Sequence, residues 1–202
     1  MFYLAKLILI RHGQSVWNAE NRFTGWTDVD LSEKGILEAE EAGQELSSQA
    51  IDVVHTSDLI RAQRTAEIVI LANESTNETV TKTDWRLNER NYGSLQGLNK
   101  AETAQEHGSE QVHIWRRSFD VAPPGGESLE MTAERTIPYF EEEILPDLEK
   151  GMDVLVSAHG NSLRSIVMHI EEISPEDIVS FEIPTGVPRY YEFVDGEINL
   201  ID

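Results

Sequence analysis

The stretch Leu7-Ile8-Leu9-Ile10-Arg11-His12-Gly13-Gln14-Ser15 decides the fold class of this chain. Its four consecutive apolar residues are typical of a strand buried on both faces. A histidine, a glycine and small polar residues follow the strand. The same pattern recurs at Ala158-His159-Gly160-Asn161-Ser162, after the apolar segment Asp153 to Ala158. Because ligands of parallel α/β sheets bind beyond the carboxyl ends of the strands, the repeated pattern predicts a single site that contains both histidines.

Apolar strands alternate with amphipathic helices along the rest of the chain. We predict strands at Asp52 to Ser57 and around Thr79 to Leu87, and two strand-like pieces near the end, separated by Gly186 and Pro188. We predict helices after Ser32, from Ile60 to Ala72, over residues 99 to 118 with a break at Gly108, after Ser128 with a kink or restart at Pro138, and through His169 with Asn161 and Ser162 as caps.

This alternation predicts an α/β fold with a mostly parallel central sheet flanked by helices. The segment from Asn73 to Gly126 interrupts the alternation, and we expect it to form a small cap over the carboxyl ends of the strands. No inter-domain linker is apparent, so residues 1–202 are expected to form a single domain.

The composition excludes several classes of function. The chain has 16 Lys and Arg against 37 Asp and Glu, a formal net charge of −21 at pH 7. This charge argues against nucleic acid and against an anionic membrane as partners, because both attract basic surfaces. There is no cysteine, which excludes disulfides and thiolate chemistry. The apolar run Met1 to Ile10 is interrupted by Lys6 and lacks a cleavage site, and no stretch approaches the roughly 20 apolar residues of a membrane span. We expect a cytoplasmic protein.

Arginine and one glutamate are the remaining chemical signals. Arg supplies 11 of the 16 basic residues, although Lys serves equally well for solubility, and Arg is preferred for bidentate contacts with phosphate or carboxylate. A single such arginine is also explained as a surface residue paired with the abundant glutamates. Glu89 is a candidate general acid if partial burial raises its pKa, although a surface carboxylate is the commoner role.

Other catalytic motifs are absent from the sequence. It contains no G-x-x-x-x-G-K-[ST], G-x-G-x-x-G, G-x-S-x-G or H-E-x-x-H motif, and no acidic spacing of a calcium loop. The other histidines, His55, His107, His113 and His169, carry no motif and are expected to be structural.

Several stretches resemble one family. The chain resembles the cofactor-dependent phosphoglycerate mutases of the histidine phosphatase superfamily at Arg11 to Asn18 (RHGQSVWN), Phe23 to Trp26 (FTGW), Thr56 to Ala62 (TSDLIRA), Arg86 to Lys100 (RLNERNYGSLQGLNK), Trp115 to Asp120 (WRRSFD), Ala158 to Arg164 (AHGNSLR) and Ile183 to Pro188 (IPTGVP). RHGQS alone indicates only the superfamily, whereas NERNYGSLQGLNK with WRRSFD is much more specific to the mutases.

The resemblance implies a role for each matching residue. His12 would be the phosphoryl-accepting nucleophile, Glu89 the proton donor and acceptor, and His159, Arg11 and Arg61 the groups that stabilise the transferring phosphoryl. Ser15, Asn18, Thr24, Gly25, Gly160 and Asn161 would complete the phosphate pocket, and Arg90, Tyr92, Lys100, Arg116 and Arg117 would hold the carboxylate and the second phosphate. The implied reaction interconverts 3-phosphoglycerate and 2-phosphoglycerate, is primed by 2,3-bisphosphoglycerate and needs no metal.

Two departures from the family leave questions open. A short Pro-Pro-Gly-Gly loop lies between Arg117 and Glu127, where many members have a longer insertion, and the chain ends at Asp202 without the longer tail often found there. The insertion is associated with subunit contacts and the tail with covering the site, so the resemblance does not decide between a monomer and a homo-oligomer. A phosphomonoesterase of the same superfamily is the nearest alternative function, and a binding module without catalysis is a more distant one.

Overall fold

The computed structural model describes residues 4–75 and 78–201. Met1–Tyr3 of the apolar N-terminal run, Thr76 and Asn77 of the expected cap segment, and Asp202 lie outside the described residues. The elements, in chain order, are β1 (Leu4–Arg11), α1 (Val16–Ala19), α2 (Glu33–Glu45), β2 (Val53–Thr56), α3 (Ile60–Ala72), β3 (Val80–Thr83), 3₁₀ turns at Trp85–Leu87 and Gly93–Leu95, α4 (Lys100–His107), α5 (Ser109–Arg117), α6 (Leu129–Tyr139), a π-helical turn (Phe140–Ile144), α7 (Leu145–Glu149), β4 (Val154–Ala158), α8 (Gly160–Ile170), α9 (Pro175–Ile178), β5 (Pro188–Val194) and β6 (Glu197–Ile201).

The described strands form one sheet in the order β3-β2-β4-β1-β5-β6. The strands β3, β2, β4 and β1 are parallel to one another, and β5 pairs antiparallel to β1 and to β6. The prediction of a mostly parallel α/β sheet is therefore confirmed. It was predictable because β1 and β4 are buried on both faces and are apolar at successive positions.

Helices cover both faces of the sheet. Leu7 and Leu9 of β1 belong to the apolar cluster that includes residues of α6 and α8. Ile8 and Ile10 point to the opposite face and belong to the cluster that includes residues of α2 and α3. Successive side chains of a strand alternate between faces, so a continuous apolar run supplies both cores.

The cap is smaller than the predicted segment, because β3 belongs to the edge of the sheet. The part of the cap formed by α4, α5 and the turn at Gly93–Leu95 has its own apolar cluster of Phe23, Leu95 and Val112, with Tyr92 and Trp115 packed against it. This small core fixes the cap residues beside the carboxyl ends of the strands.

One local prediction was wrong, a second was right only in part, and a third is resolved. The last strands are not separated at Gly186 and Pro188: β5 and β6 form a hairpin whose turn residues, Asp195 and Gly196, both have positive φ, the geometry of a two-residue turn. Helix α8 begins at Gly160 with His159 as its N-cap, so Asn161 is not a cap, whereas Ser162 at the third helical position accepts the His159 N–H at 3.1 Å as part of a capping box. Pro138 lies inside α6, and the chain continues through the π-helical turn into α7 rather than starting a separate helix.

None of the helices within residues 4–75 and 78–201 is long and apolar enough to cross a membrane.

Candidate active site

The parallel pairing of β1 with β4 brings the two strand-end histidines together. Arg11 is in register with Ala158, and the backbone N–H of His12 donates to the Ala158 carbonyl at 3.0 Å. The rings of His12 and His159 consequently lie edge to face, with their centroids 4.9 Å apart. The sheet thus places the two histidines of the repeated pattern side by side.

The His12 ring is held in one orientation and one tautomer. Its Nδ1 lies 2.7 Å from the Gly13 carbonyl oxygen. Since a carbonyl can only accept, Nδ1 carries the proton and Nε2 keeps its lone pair. Burial, followed by the Arg61 and Arg11 charges, holds the pKa of His12 well below its ordinary value. The ring is therefore neutral at neutral pH and suited to nucleophilic attack through Nε2.

The turn that orients His12 rests on the first turn of α2. A Cβ added to Gly13 would lie 2.1 Å from the Gly35 carbonyl oxygen, so only glycine permits this approach. The Ser32 N–H donates to the Gln14 carbonyl at 2.8 Å, and the Gln14 N–H donates to Glu38 Oε2 at 2.7 Å. Helix α2 thereby supports the backbone beside the nucleophile, a role that sequence reasoning did not assign.

His159 is fully buried, and one of its nitrogens is bound by Ser57. The Ser57 Oγ lies 2.7 Å from His159 Nε2 and also accepts the Leu59 N–H at 3.2 Å. His159 Nδ1 is buried without a hydrogen-bond partner among the described residues. Burial, followed by the Arg61 charge, holds the pKa of His159 well below its ordinary value. Ser57 lies in the matched stretch TSDLIRA, which was the available signal for it.

A cavity of about 180 Å³ opens in front of these rings. It collects side chains from the sheet, the loops and the cap, and seven of its residues are cationic against two that are acidic. The lining residues are Arg11, His12, Asn18, Arg22, Phe23, Thr24, Gly25, Arg61, Glu89, Tyr92, Lys100, Arg116, Arg117, Gly160, Asn161, Arg164, Glu182 and Ile183. This excess of positive charge focuses anions at the cavity although the whole chain is acidic.

The two inner arginines are fixed by backbone carbonyls. Arg61 donates to the carbonyls of Thr27 at 3.1 Å and Gly25 at 2.8 Å, and burial lowers its pKa to about 10, which leaves it charged at neutral pH. Arg11 donates to the Ile183 carbonyl at 2.9 Å, and its Nε is buried without a partner in the described structure. Both guanidiniums are thus held in fixed positions at the cavity that His12 lines.

Glu89 lies at the same cavity and is 8% exposed. Its Oε1 accepts the backbone N–H of Arg90 at 2.8 Å and that of Asn161 at 3.1 Å. Oε2 accepts no hydrogen bond from the described residues. One carboxylate oxygen is therefore anchored while the other is available to carry a proton.

The cap contributes an outer group of polar side chains. Arg90 donates to the Tyr92 hydroxyl at 3.0 Å and to the Arg116 carbonyl at 2.6 Å. Burial by itself raises the pKa of Tyr92, but the Arg90 charge and hydrogen bond lower it below its ordinary value. Burial also lowers the pKa of Lys100. Arg117 is paired with Glu182, with 2.5 Å between Arg117 Nη2 and Glu182 Oε1.

Most of the predicted site residues line the cavity, and three do not. The Ser15 hydroxyl accepts the Asn18 N–H and caps α1, because the chain turns into a helix directly after it. Arg90 lies behind Tyr92 and Arg116, and His159 lies behind His12.

Sequence reasoning missed three charged lining residues, and it gave no role to the apolar lining residues Phe23 and Ile183. Arg22, Arg164 and Glu182 contribute to the cavity without an assigned role. Arg22 precedes the matched stretch FTGW and Arg164 ends AHGNSLR, so the signal was present for these two. Among the described residues no group of three or more His, Asp or Glu is arranged to hold a metal ion.

The chain is similar to known proteins along nearly its whole length. Residues 7–200 match the family model of the histidine phosphatase superfamily (branch 1). A protein of Protochlamydia amoebophila, described as a 2,3-bisphosphoglycerate-dependent phosphoglycerate mutase, is 49% identical over 96% of this chain and 97% of its own length. One of Nitrobacter winogradskyi with the same description is 54% identical over 92% and 90%. Among solved structures, a mycobacterial glucosyl-3-phosphoglycerate phosphatase is 26% identical, with a TM-score of 0.83 over 98% of this chain and 96% of that one.

Proposed function

This chain belongs to branch 1 of the histidine phosphatase superfamily, and we propose that it is a 2,3-bisphosphoglycerate-dependent phosphoglycerate mutase. As an isomerase of glycolysis and gluconeogenesis, it interconverts 3-phosphoglycerate and 2-phosphoglycerate. The observation that carries the proposal is a neutral His12 that faces a cavity with cations on both its sheet side and its cap side. A substrate with one phosphate and one carboxylate needs both groups of cations, one for each of its anionic ends.

Unpartnered polar atoms support a phosphate in the cavity. Arg11 Nε and Thr24 Oγ1, on two residues that line the cavity, are buried without hydrogen-bond partners in the described part of the chain. A buried unpaired polar atom costs about 1–3 kcal/mol, which phosphoryl oxygens would recover by accepting from both. When bound, 2,3-bisphosphoglycerate supplies the phosphoryl group that primes His12.

The proposed chemistry is a reversible transfer between a substrate oxygen and His12. On primed His12 the free hydroxyl of the bound phosphoglycerate attacks phosphorus as the P–N bond breaks, and the Glu89 carboxylate takes the proton of that hydroxyl. In the return transfer His12 Nε2 forms a bond to the other phosphorus while the bond from that phosphorus to the substrate oxygen breaks, and Glu89 donates its proton to that oxygen, which regenerates the primed enzyme. Arg11, Arg61 and a neutral His159 stabilise the charge on the transferring phosphoryl.

The remaining residues bind the substrate in this proposal. Asn18, Thr24, Gly25, Gly160 and Asn161 contact the transferring phosphate, and Tyr92, Lys100, Arg116 and Arg117 contact the carboxylate and the second phosphate. Arg90 acts by orienting Tyr92 and Arg116. The mechanism needs no metal. We also propose that residues 1–202 form one catalytic domain that acts in the cytoplasm on small phosphoglycerates, with neither nucleic acid nor a membrane as partner.

The alternative is a phosphomonoesterase that uses the same residues and transfers the phosphoryl group to water. The solved phosphatase described above favours it, and Pro124 to Ser128 (PGGES) resembles such enzymes. The mutase is the better proposal, because the relatives described as mutases are about 50% identical and that phosphatase is 26% identical.

An assay on 3-phosphoglycerate separates the two functions. We expect 2-phosphoglycerate to form, faster with added 2,3-bisphosphoglycerate, and more rapidly than inorganic phosphate is released. Phosphate release with negligible isomerisation would refute the mutase. His12→Ala is expected to abolish the acid-labile phosphoenzyme, while His113→Ala, a matched change at an exposed histidine, retains it. A phosphoenzyme that persists in His12→Ala would remove His12 from the nucleophile role.

A further inference from the structure

The segment that carries Glu89 lacks a regular scaffold of its own. Residues 88–92 lie between the 3₁₀ turns Trp85–Leu87 and Gly93–Leu95 and belong to neither helix nor strand. Asn88, Glu89 and Arg90 are nevertheless buried. Buried backbone N–H and C=O groups need hydrogen-bond partners, and a segment without helix or sheet must obtain them from side chains.

One arginine of α6 supplies most of these partners. Arg135 Nη1 donates to the carbonyls of Arg86 at 2.8 Å and Asn88 at 2.9 Å, and Arg135 Nη2 donates to the Glu89 carbonyl at 2.9 Å. The planar guanidinium directs its N–H groups in fixed directions, so a single side chain sets the spacing of three carbonyls. Arg135 is itself 8% exposed.

Glu127 holds this arginine and binds the far end of the same segment. Arg135 Nε and Nη2 donate to the two carboxylate oxygens of Glu127 at 2.9 and 2.8 Å, a bidentate pair. Glu127 Oε2 also accepts the Asn91 N–H at 2.8 Å, and the Glu127 N–H donates to the Asn91 carbonyl at 2.8 Å. The Arg135–Glu127 ion pair therefore forms hydrogen bonds to the backbone on both sides of Glu89.

Two tryptophans confine the guanidinium. The Arg135 Cζ lies 5.5 Å from the ring centroid of Trp26 and 6.0 Å from that of Trp85. Trp26 Nε1 donates to the Glu89 carbonyl at 2.6 Å, so this carbonyl accepts from two fixed donors. Both acceptor positions of the Glu89 carbonyl are thus occupied by fixed donors, which hold the backbone of the proposed proton donor in place.

We propose that Arg135 and Glu127 are positioning residues that aim the Glu89 carboxyl at the leaving oxygen during phosphoryl transfer. The inference rests on the proposed role of Glu89 as the proton donor. Neither residue lines the cavity, so both act through the backbone of residues 86–91.

The proposal predicts a dependence on the leaving group. As the P–N bond to His12 forms and the P–O bond breaks, a sugar-like or glycerate alkoxide must receive the Glu89 proton, whereas an acidic phenol departs as its anion without one. If the Glu89 carboxyl no longer points at the leaving oxygen, transfer from an alkyl phosphate should slow, whereas transfer from an aryl phosphate should keep its rate. A general loss of folded structure would slow both transfers.

Arg135→Lys and Glu127→Gln test this prediction. Lysine keeps the charge but has a single ammonium group and cannot reach the three carbonyls and Glu127 together. We expect phosphorylation of His12 by 2,3-bisphosphoglycerate to slow by about 100-fold, the effect of a misplacement of about 1 Å, while phosphorylation by 2,4-dinitrophenyl phosphate stays near wild type. Glu127→Gln preserves the shape of the side chain and carries the test if Arg135→Lys does not fold.

Arg189→Lys is the matched control. Arg189 forms a comparable pair with Glu171, at 2.7 and 3.0 Å from Glu171 Oε1, and does not line the cavity. Arg189→Lys should lower the melting temperature without changing the relative rates of His12 phosphorylation by the two phosphoryl donors. The proposal would be overturned if Arg135→Lys slowed phosphorylation by 2,3-bisphosphoglycerate and by 2,4-dinitrophenyl phosphate equally. It would also be overturned if Arg189→Lys slowed only the reaction with 2,3-bisphosphoglycerate to the same degree as Arg135→Lys. The outcome is independent of whether wild type isomerises phosphoglycerate, because a phosphomonoesterase needs the same proton on an alkyl leaving group.

Discussion

Gly35, which lies outside the cavity, is expected to control the reactivity of His12. It occupies the first turn of α2, where a Cβ would lie 2.0 Å from the Gln14 carbonyl oxygen. Ordinary contact begins near 3.4 Å, so in Gly35→Ala one of the two backbones must move by about 1.4 Å. The atoms that clash belong to backbone, which cannot rotate away as a flexible side chain would.

Two opposing effects determine how Gly35→Ala changes the free energy of unfolding. Replacing a helical glycine with alanine favours the helix by about 1 kcal/mol, whereas overpacking costs about 1–3 kcal/mol, so the net effect on unfolding free energy is small or moderately unfavourable. The effect on the site is larger. The Gly13–Gln14 turn supplies the carbonyl that orients His12 Nδ1 at 2.7 Å. A displacement of about 1 Å at a reacting group costs about 100-fold in rate, which is the expected loss in phosphoenzyme formation.

Rapid-quench measurement of phosphoenzyme formation, together with a melting temperature, tests this expectation. Gly43→Ala is the matched control, because it lies in the same helix and its Cβ would meet the Ala72 Cβ at 2.8 Å, away from the His12 turn. We expect Gly43→Ala to lose stability and keep its rate. A Gly35→Ala protein that melts higher and reacts at the wild-type rate would refute the reasoning, since helix propensity alone gives that result.

Two further predictions concern substrate affinity and pH. Glu182→Gln should lower the KM for 3-phosphoglycerate by up to about fivefold, because Glu182 competes with substrate anions for Arg117 and an exposed ion pair is worth at most about 1 kcal/mol; an unchanged or higher KM would contradict this. Burial lowers the pKa of His55 to about 4 from 6.5, so the unfolded chain binds a proton that the native protein excludes. Stability should therefore fall by roughly 3 kcal/mol as the pH drops from 6.5 to about 4, with no contribution from this group above 6.5. Urea unfolding of wild type and His55→Gln measures this, and an equally steep acid loss in both would exclude His55 as a cause.

The chemistry of His55 illustrates what local patterns reveal and what they omit. Its lack of a motif predicts a structural role, and the ring indeed bonds to Tyr139 at 2.8 Å and to Asp147 at 3.1 Å. The partners come from α6 and α7, more than 80 residues away along the chain. No short-range spacing in the sequence predicts these partners, because α6 and α7 become neighbours of His55 only when they pack on the sheet.

The strands and most helices could be predicted because their signals are local. A continuous apolar run such as Leu7 to Ile10 must be buried on both faces, and a hydroxyl such as that of Ser32 satisfies the free N–H groups of a helix start. The C-terminal hairpin was missed although Asp195-Gly196 is a typical two-residue hairpin turn, because Gly186 and Pro188 are also turn residues and come first in the chain. Pro188 instead begins a strand, where the missing N–H is tolerated.

The sequence by itself determined the α/β class, the family and the residues that carry the proposed chemistry, because these follow from residue types and their order. Only the tertiary structure decided where those residues lie and which contacts orient their side chains. It placed Ser15 in a helix cap and Arg90 behind Tyr92, and it brought Arg135, Ser57 and Gly35 into support of Glu89, His159 and His12. The reason is physical. A buried irregular backbone must find its hydrogen-bond partners wherever packing supplies them, and packing joins elements that are distant in the chain.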